Sequence, residues 1–242
     1  MELYYDSFDN VEIDKEIEKI KQADIVNVRV SITDKDILFL LGILFAMGKK
    51  INITNRNDLD LSSNSKSFYI MTYVWEKLGD SNYPLKDYSD VNTDLDILIT
   101  NLKNLGFEIL PLNRPIKDNK KFLISPVRNV SPEQTLEIES FKKDKVDAGF
   151  DLHVPQKDTF QKDKFGGYSI CFQNANAIAE STELYLYYDQ TSKGSMFDLG
   201  IAYYLNKPLT VVNKDSIDFD QDDFGDQIVI NWDRPGSRLI LK

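Results

Sequence analysis

Ser192, Gly194 and Asp198 lie in the one stretch of this chain whose residue types suggest binding and reaction together: Asp189-Gln190-Thr191-Ser192-Lys193-Gly194-Ser195-Met196-Phe197-Asp198-Leu199-Gly200-Ile201-Ala202. The apolar run Leu184-Tyr185-Leu186-Tyr187-Tyr188 precedes it and Pro208-Leu209-Thr210-Val211-Val212 follows it. The spacing predicts strand, polar loop, helix, strand. The loop brings small residues and hydroxyls to a helix N-terminus, where free backbone N–H groups attract anions. One turn into the helix stands Asp198, a carboxylate among apolar residues. Two readings follow: a phosphate-friendly loop backed by an acid, or an ordinary βα turn with a solvated aspartate.

Ligands of open parallel sheets bind outside the carboxyl ends of the strands. Three predicted strand ends in the second half offer polar residues there. The first supplies Ser125-Pro126-Val127-Arg128, the second His153, the third Asp189 to Ser192. Arg128 is suited to bidentate pairing with a phosphate; equally it reads as a surface arginine in a turn. His153 is the only histidine and titrates near neutrality.

The run Ser192-Lys193-Gly194-Ser195-Met196-Phe197-Asp198-Leu199-Gly200 resembles the Ser-x-Gly-x-x-(aromatic)-Glu-Leu-Gly signature of nucleoside 2-deoxyribosyltransferases. It is most similar to the related deoxynucleoside 5′-monophosphate N-glycosidases. Ile124-Ser125-Pro126-Val127-Arg128 resembles their first-strand loop, and His153-Val154 matches a His-Val ending the second strand in some members. The resemblance covers roughly residues 120 to 213. It implies a flavodoxin-like α/β fold that cleaves or transfers an N-glycosidic bond, with a carboxylate attacking the anomeric carbon. On that resemblance Asp198 is the nucleophile, and Ser125, Pro126, Arg128, Ser192 and Gly194 hold the phosphate or the sugar. The chain departs from the family at both acids. Asp198 is one methylene shorter than glutamate, and Asn174 stands at the position of an upstream aspartate. Asp189 is the substitute within reach of the strand end, and His153 the candidate general acid for the leaving base. Asn174 with Asp198 also supports a non-catalytic alternative, a nucleotide-binding sensor or regulatory protein. Cleavage of a nicotinamide dinucleotide is a third reading.

These residues need elements to position them, and a repeat shows which. Residues 23–54 lie over residues 181–212 without a gap, at an offset of 158. Thr33 matches Thr191, Leu41-Gly42-Ile43 matches Leu199-Gly200-Ile201, and Lys49 matches Lys207. Leu40 stands at the position of Asp198, so the first copy lacks the acid. The expected architecture is α/β: a flavodoxin-like (Rossmann-type) parallel sheet with helices on both faces in residues 120–242, preceded in residues 1–112 by a shortened, divergent copy with added helices. Helices are expected over Ser67–Leu78, Thr93–Leu105, Ser131–Lys145 and Ser169–Glu180. Strands are expected at Phe107–Leu110, Phe122–Ser125, Phe150–Pro155 and Gln227–Trp232. Residues 111–121 read as a linker and the acidic stretch 215–226 as a solvated loop.

Composition narrows the partners. A formal charge of −10 argues against a non-specific nucleic-acid binder, which needs a basic face. The single cysteine, Cys171, excludes an intrachain disulfide and a thiolate-rich metal site, and one histidine disfavours a zinc centre. No metal or cofactor is expected. The longest apolar run, Ile37 to Met47, is too short to span a bilayer, and a reducing cytoplasm is the default location. The expected partner is a small nucleoside or nucleotide. Since family members form dimers in which a neighbour completes the pocket, a homo-oligomer or an in-chain pseudo-dimer is the expected assembly.

Overall fold

Strands β4 (Lys117–Ile124) and β6 (Ser181–Leu186) alternate their side chains between two buried faces. Phe122, Ile124, Leu184 and Leu186 enter the large core; Leu123 and Tyr185 enter a second, smaller one with Ile138, Leu152, Val154 and Tyr187. Burial on both faces is what a parallel sheet with helices above and below requires. The computed structural model describes residues 1–9, 11–31, 33–56, 66–80, 94–104, 109–161, 167–214, 217–232 and 235. β4 and β6 pair in parallel within a four-stranded sheet of order β5-β4-β6-β7, with β5 at Asp151–His153 and β7 at Leu209–Val211. A second sheet, order β1-β2-β3, is also parallel and joins β1 (Glu2–Tyr5), β2 (Ile25–Val28) and β3 (Lys50–Ile53). This is the expected α/β, flavodoxin-like arrangement with a shorter copy in front.

The helices of the first half are α1 (Ile13–Gln22), α2 (Lys35–Ala46), α3 (Lys66–Gly79) and α4 (Asp94–Asn104). Those of the second are α5 (Pro132–Asp147), α6 (Pro155–Asp158), α7 (Tyr168–Glu180), α8 (Lys193–Tyr204) and α9 (Phe224–Ile230). α5 begins where the sequence says it should. Ser131 Oγ accepts from the Gln134 amide, Gln134 Oε1 accepts from the Ser131 amide, and Pro132 occupies the first turn.

The halves meet across α2 and α8. α2 is buried from Asp36 to Ala46 and apolar from Ile37 onward, with α8 and α9 of the other half packed against it. The longest apolar run of the sequence, Ile37 to Met47, is thus an internal helix and the residue that ends it. Among the described residues no helix is long and apolar enough to cross a membrane. At the crossing the two helices approach through equivalent glycines. A Cβ on Gly42 would sit 2.0 Å from Phe197 O, and one on Gly200 2.0 Å from Phe39 O. Phe39 and Phe197 are themselves repeat partners, so the contact is reciprocal. Phe39 packs edge-on against Tyr203, and Phe45 against Phe197, each at 5.5 Å between ring centres.

The copies share their polar bracing too. Lys49 Nζ donates to Lys21 O and Ala23 O; Lys207 Nζ donates to Ala179 O and Ser181 O. Asn55 exchanges two hydrogen bonds with the backbone of Val30, and Asn213 two with Tyr188. Trp75 Nε1 donates to Lys49 O, Trp232 Nε1 to Lys207 O. Gly48 and Asn206 both take left-handed backbone, at φ 64° and 55°, where each helix turns into its strand. The repeat read from a few identities is thus a repeat of contacts. Lys207 is 6% exposed and its two carbonyls have no substitute donor in a shortened side chain. Lys207→Met is expected to cost about 2 kcal/mol, measured as a lowered urea midpoint; an unchanged midpoint would show that the brace is dispensable.

Four expectations are corrected. Gln227–Trp232 lies on helix α9 and the residues after it, capped at Asp223, whose side chain accepts from the Asp226 amide. Its run of β-branched residues imitates a strand, but Ile228 and Val229 are buried on one helical side. β4 reaches back to Lys117, so the supposed linker 111–121 contains strand, with Lys121 buried beneath Thr182 and Glu183. The acidic stretch is not wholly solvated, since Asp226 is fully buried and accepts from Tyr188 Oη, Gln190 Nε2 and the Asp220 amide. Of the strand expected at Phe107–Leu110, residues 107 and 108 lie outside the described residues and Ile109-Leu110 are not in a strand.

Candidate functional site

The strand order β5-β4-β6 sets three polar strand ends side by side: His153 on β5, Ser125 just past β4, and Asp189 beyond β6. The helix α8 starts from the loop after β6, and Asp198 lies on it one turn in, 7% exposed. Asn174 of α7 is buried beside it, and its Nδ2 donates to Asp198 Oδ2 at 3.3 Å. Burial pushes the Asp198 carboxyl up to about 7, against the opposing pull of the Asn174 hydrogen bond. Such a group exchanges its proton near neutrality and, when ionised, is a poorly solvated anion.

Asn174 is held in turn. Thr159 Oγ1 donates to Asn174 Oδ1 at 2.8 Å, and His153 Nε2 lies 2.8 Å from Thr159 Oγ1. His153 stacks on Phe122 with ring centres 5.2 Å apart. Burial holds its imidazole below the ordinary histidine value, so it is neutral near pH 7. The structure therefore joins three of the four residues singled out for chemistry, Asp198, Asn174 and His153, through a fourth that the sequence did not flag. Thr159 caps the end of α6 and is 4% exposed. No spacing rule points to it; it and Ser169 are the two serine or threonine hydroxyls between His153 and Asn174.

Asp189 is placed apart from this chain. Its Oδ1 accepts from the amide and hydroxyl of Thr191 and so folds the loop on itself. Ser192 is the N-cap of α8 but makes no side-chain cap bond; its Oγ accepts from Ser195 Oγ at 2.8 Å. A Cβ on Gly194 would meet no atom within 4 Å, so the space over the helix start is open. Pro126 is buried, and Arg128 is exposed just before Asn129, which has a left-handed φ of 57°. Ser125 is 6% exposed and its Oγ has no hydrogen-bond partner among the described residues. A buried hydroxyl without a partner costs about 1–3 kcal/mol. Ser125→Ala is thus expected to leave the melting temperature of the free protein unchanged or raised. A marked fall in the free protein's melting temperature would assign Ser125 a structural role instead.

Two clefts flank the loop. One, of about 540 Å³, is lined by Glu133, Glu137, Tyr187, Asp189 and Asp218 among others. Its four carboxylates make it unsuited to a phosphate. The other, of about 210 Å³, lies between the halves and is lined by Thr33, Lys35, Leu38, Thr191, Ser192 and Lys193. Thr33 and Lys35 are the repeat partners of Thr191 and Lys193, so this cleft straddles the pseudo-twofold relation. Lys35 is paired with Asp223 at 2.7 Å. Asp198 lines neither cleft. No family model, curated protein or solved structure matches the chain.

Proposed function

We propose that this chain cleaves or transfers the N-glycosidic bond of a nucleoside, deoxynucleoside or nucleoside 5′-monophosphate, with Asp198 as the attacking carboxylate. The observation that carries the reading is Asp198 itself: a carboxyl buried among apolar residues, held by one neutral amide. A carboxylate in that setting is costly to ionise, and a cationic oxocarbenium-like centre would stabilise it. An Asp198 oxygen would form the bond to the anomeric carbon as the carbon–nitrogen bond breaks. The base would leave with the electron pair and take up a proton. Water, or a second base, would then displace the sugar from the ester. Ser125, Ser192 and the uncapped start of α8 are suited to the phosphate or the sugar hydroxyl end.

A second reading is supported by the clefts. Since neither is lined by Asp198, a protein that binds a nucleotide without turning it over is also consistent with the geometry. One experiment separates the two. The purified protein is incubated with deoxynucleosides, ribonucleosides, their 5′-monophosphates and NAD, and free base is followed by chromatography, with Asp198→Ala as control. Base release that disappears in the control supports the glycosidic reading and names the substrate class. No release from any compound, with monophosphates still raising the melting temperature, supports the binding reading.

A further inference from the structure

We propose that Thr159 is a positioning residue for Asp198, fixing which side of the Asn174 amide faces the carboxylate. The proposal rests on the reading of Asp198 as the reacting group, and its geometry is a chain of three hydrogen bonds in which each direction forces the next. The amide N–H of Asn174 donates to Asp198 Oδ2, which leaves Asn174 Oδ1 turned to Thr159. A carbonyl oxygen only accepts, so Thr159 spends its single proton there. Its oxygen is then left to accept, and the group beside it, His153 Nε2 at 2.8 Å, must carry a hydrogen. Thr159, Asn174 and Asp198 are each less than a tenth exposed, and the imidazole plane is set by the Phe122 ring, 8° from parallel.

The alternative order is equally definite. With the amide reversed, Asn174 Oδ1 would face Asp198 and the carboxyl would have to be protonated to donate to it. Thr159 would donate to His153 Nε2, and the imidazole proton would sit on Nδ1. That form has no anion with which to attack. Thr159 therefore couples the amide orientation to the His153 tautomer: with the hydrogen on Nε2 it holds the orientation that accepts an ionised Asp198, and His153 is the anchor of the chain rather than an acid at the leaving group. The charged groups acting on His153 are Asp158, Lys120, Lys142 and Asp151.

The chain holds one histidine, so its ring signals need no assignment. In ¹⁵N-labelled protein at pH 8, long-range proton–nitrogen correlation is expected to show the neutral ring with its hydrogen on Nε2 in the native protein and in Thr159→Ser. Thr159→Val keeps the shape, removes the hydroxyl, and is expected to populate both tautomers. A native ring with its hydrogen on Nδ1 would overturn the proposal. In ¹³C-observed titration of the carboxyls, the Asp198 midpoint is expected to rise in Thr159→Val and to stay in place in Thr159→Ser. For base release, Thr159→Val is expected to lose about tenfold in kcat with KM little changed and the acid limb moved to higher pH, with Thr159→Ser restoring both. A Thr159→Val protein that keeps the native kcat and carboxyl midpoint would refute the positioning role. If the native protein releases no base, Asp198 as nucleophile is refuted, while the tautomer and the carboxyl titration still decide whether Thr159 orders the amide.

Discussion

Asp198→Asn is expected to abolish base release and at the same time to make the folded protein more stable at pH 8. Burial moves the Asp198 carboxyl from an ordinary 3.8 to about 7 in the folded state. A folded-state value above the unfolded one means that the folded protein binds the proton more tightly. Its stability therefore falls as pH rises from about 4 to about 7 and stays low above that. Each pKa unit is worth about 1.4 kcal/mol, so the cost above pH 7 is on the order of 4 kcal/mol. Asparagine removes the ionisation, and its carbonyl can still accept from Asn174. The gain in stability should be full at pH 8 and absent at pH 4, as read from urea unfolding at both. Removal of an attacking carboxylate should lower base release by at least about 10³-fold. A variant less stable than the native protein at pH 8 would mean that the ionised carboxylate is favourably held, contrary to its surroundings here.

Gly42→Ala and Gly200→Ala should each destabilise the protein by at least about 3 kcal/mol, and by similar amounts. A methyl at either site lands 2.0 Å from a backbone oxygen of the opposite helix, and a backbone oxygen cannot rotate away as a flexible side chain can. The helices would have to separate along a face where Phe39, Phe45, Phe197 and Tyr203 interlock. Gly194→Ala is the control, since its methyl meets no atom within 4 Å and alanine favours a helix by up to about 1 kcal/mol over glycine. Chemical denaturation of the three variants decides the matter. If Gly42→Ala were tolerated while Gly200→Ala was not, the reciprocal packing of the two copies would be refuted.

Much of the scaffold was legible in the chain. Ser131-Pro132 announced α5, the polar loop before α8 announced a strand-to-helix turn, and the matched Thr33/Thr191, Gly42/Gly200 and Lys49/Lys207 announced two related units. The meaning of those matches was not legible. Glycine and lysine are common, and only contacts show that Gly42 and Gly200 touch the opposite copy while Lys49 and Lys207 tie helix ends to sheets within their own. β1 and α1 escaped notice because β1 is four residues long and half polar, too short for a period to register. α9 was misread because its last four residues, Gln227-Ile228-Val229-Ile230, fit either period. At the site, His153 was found by its position at a predicted strand end, and Asn174 only through the family resemblance. Thr159 could not be, since hydrogen bonds between residues on different elements leave no trace in spacing.

The crossing at Gly42 and Gly200 carries a consequence for how such a molecule behaves at low abundance. Two separate subunits that met through this face would come apart on dilution, and any site needing both would vanish with them. Here the partner is tethered, so its effective concentration is set by the length of the intervening chain and not by how many molecules a cell makes. The tether also ends the constraint of symmetry. A change in one subunit of a homodimer appears in both, whereas here Leu40 can replace a carboxylate in one half while Asp198 is kept in the other.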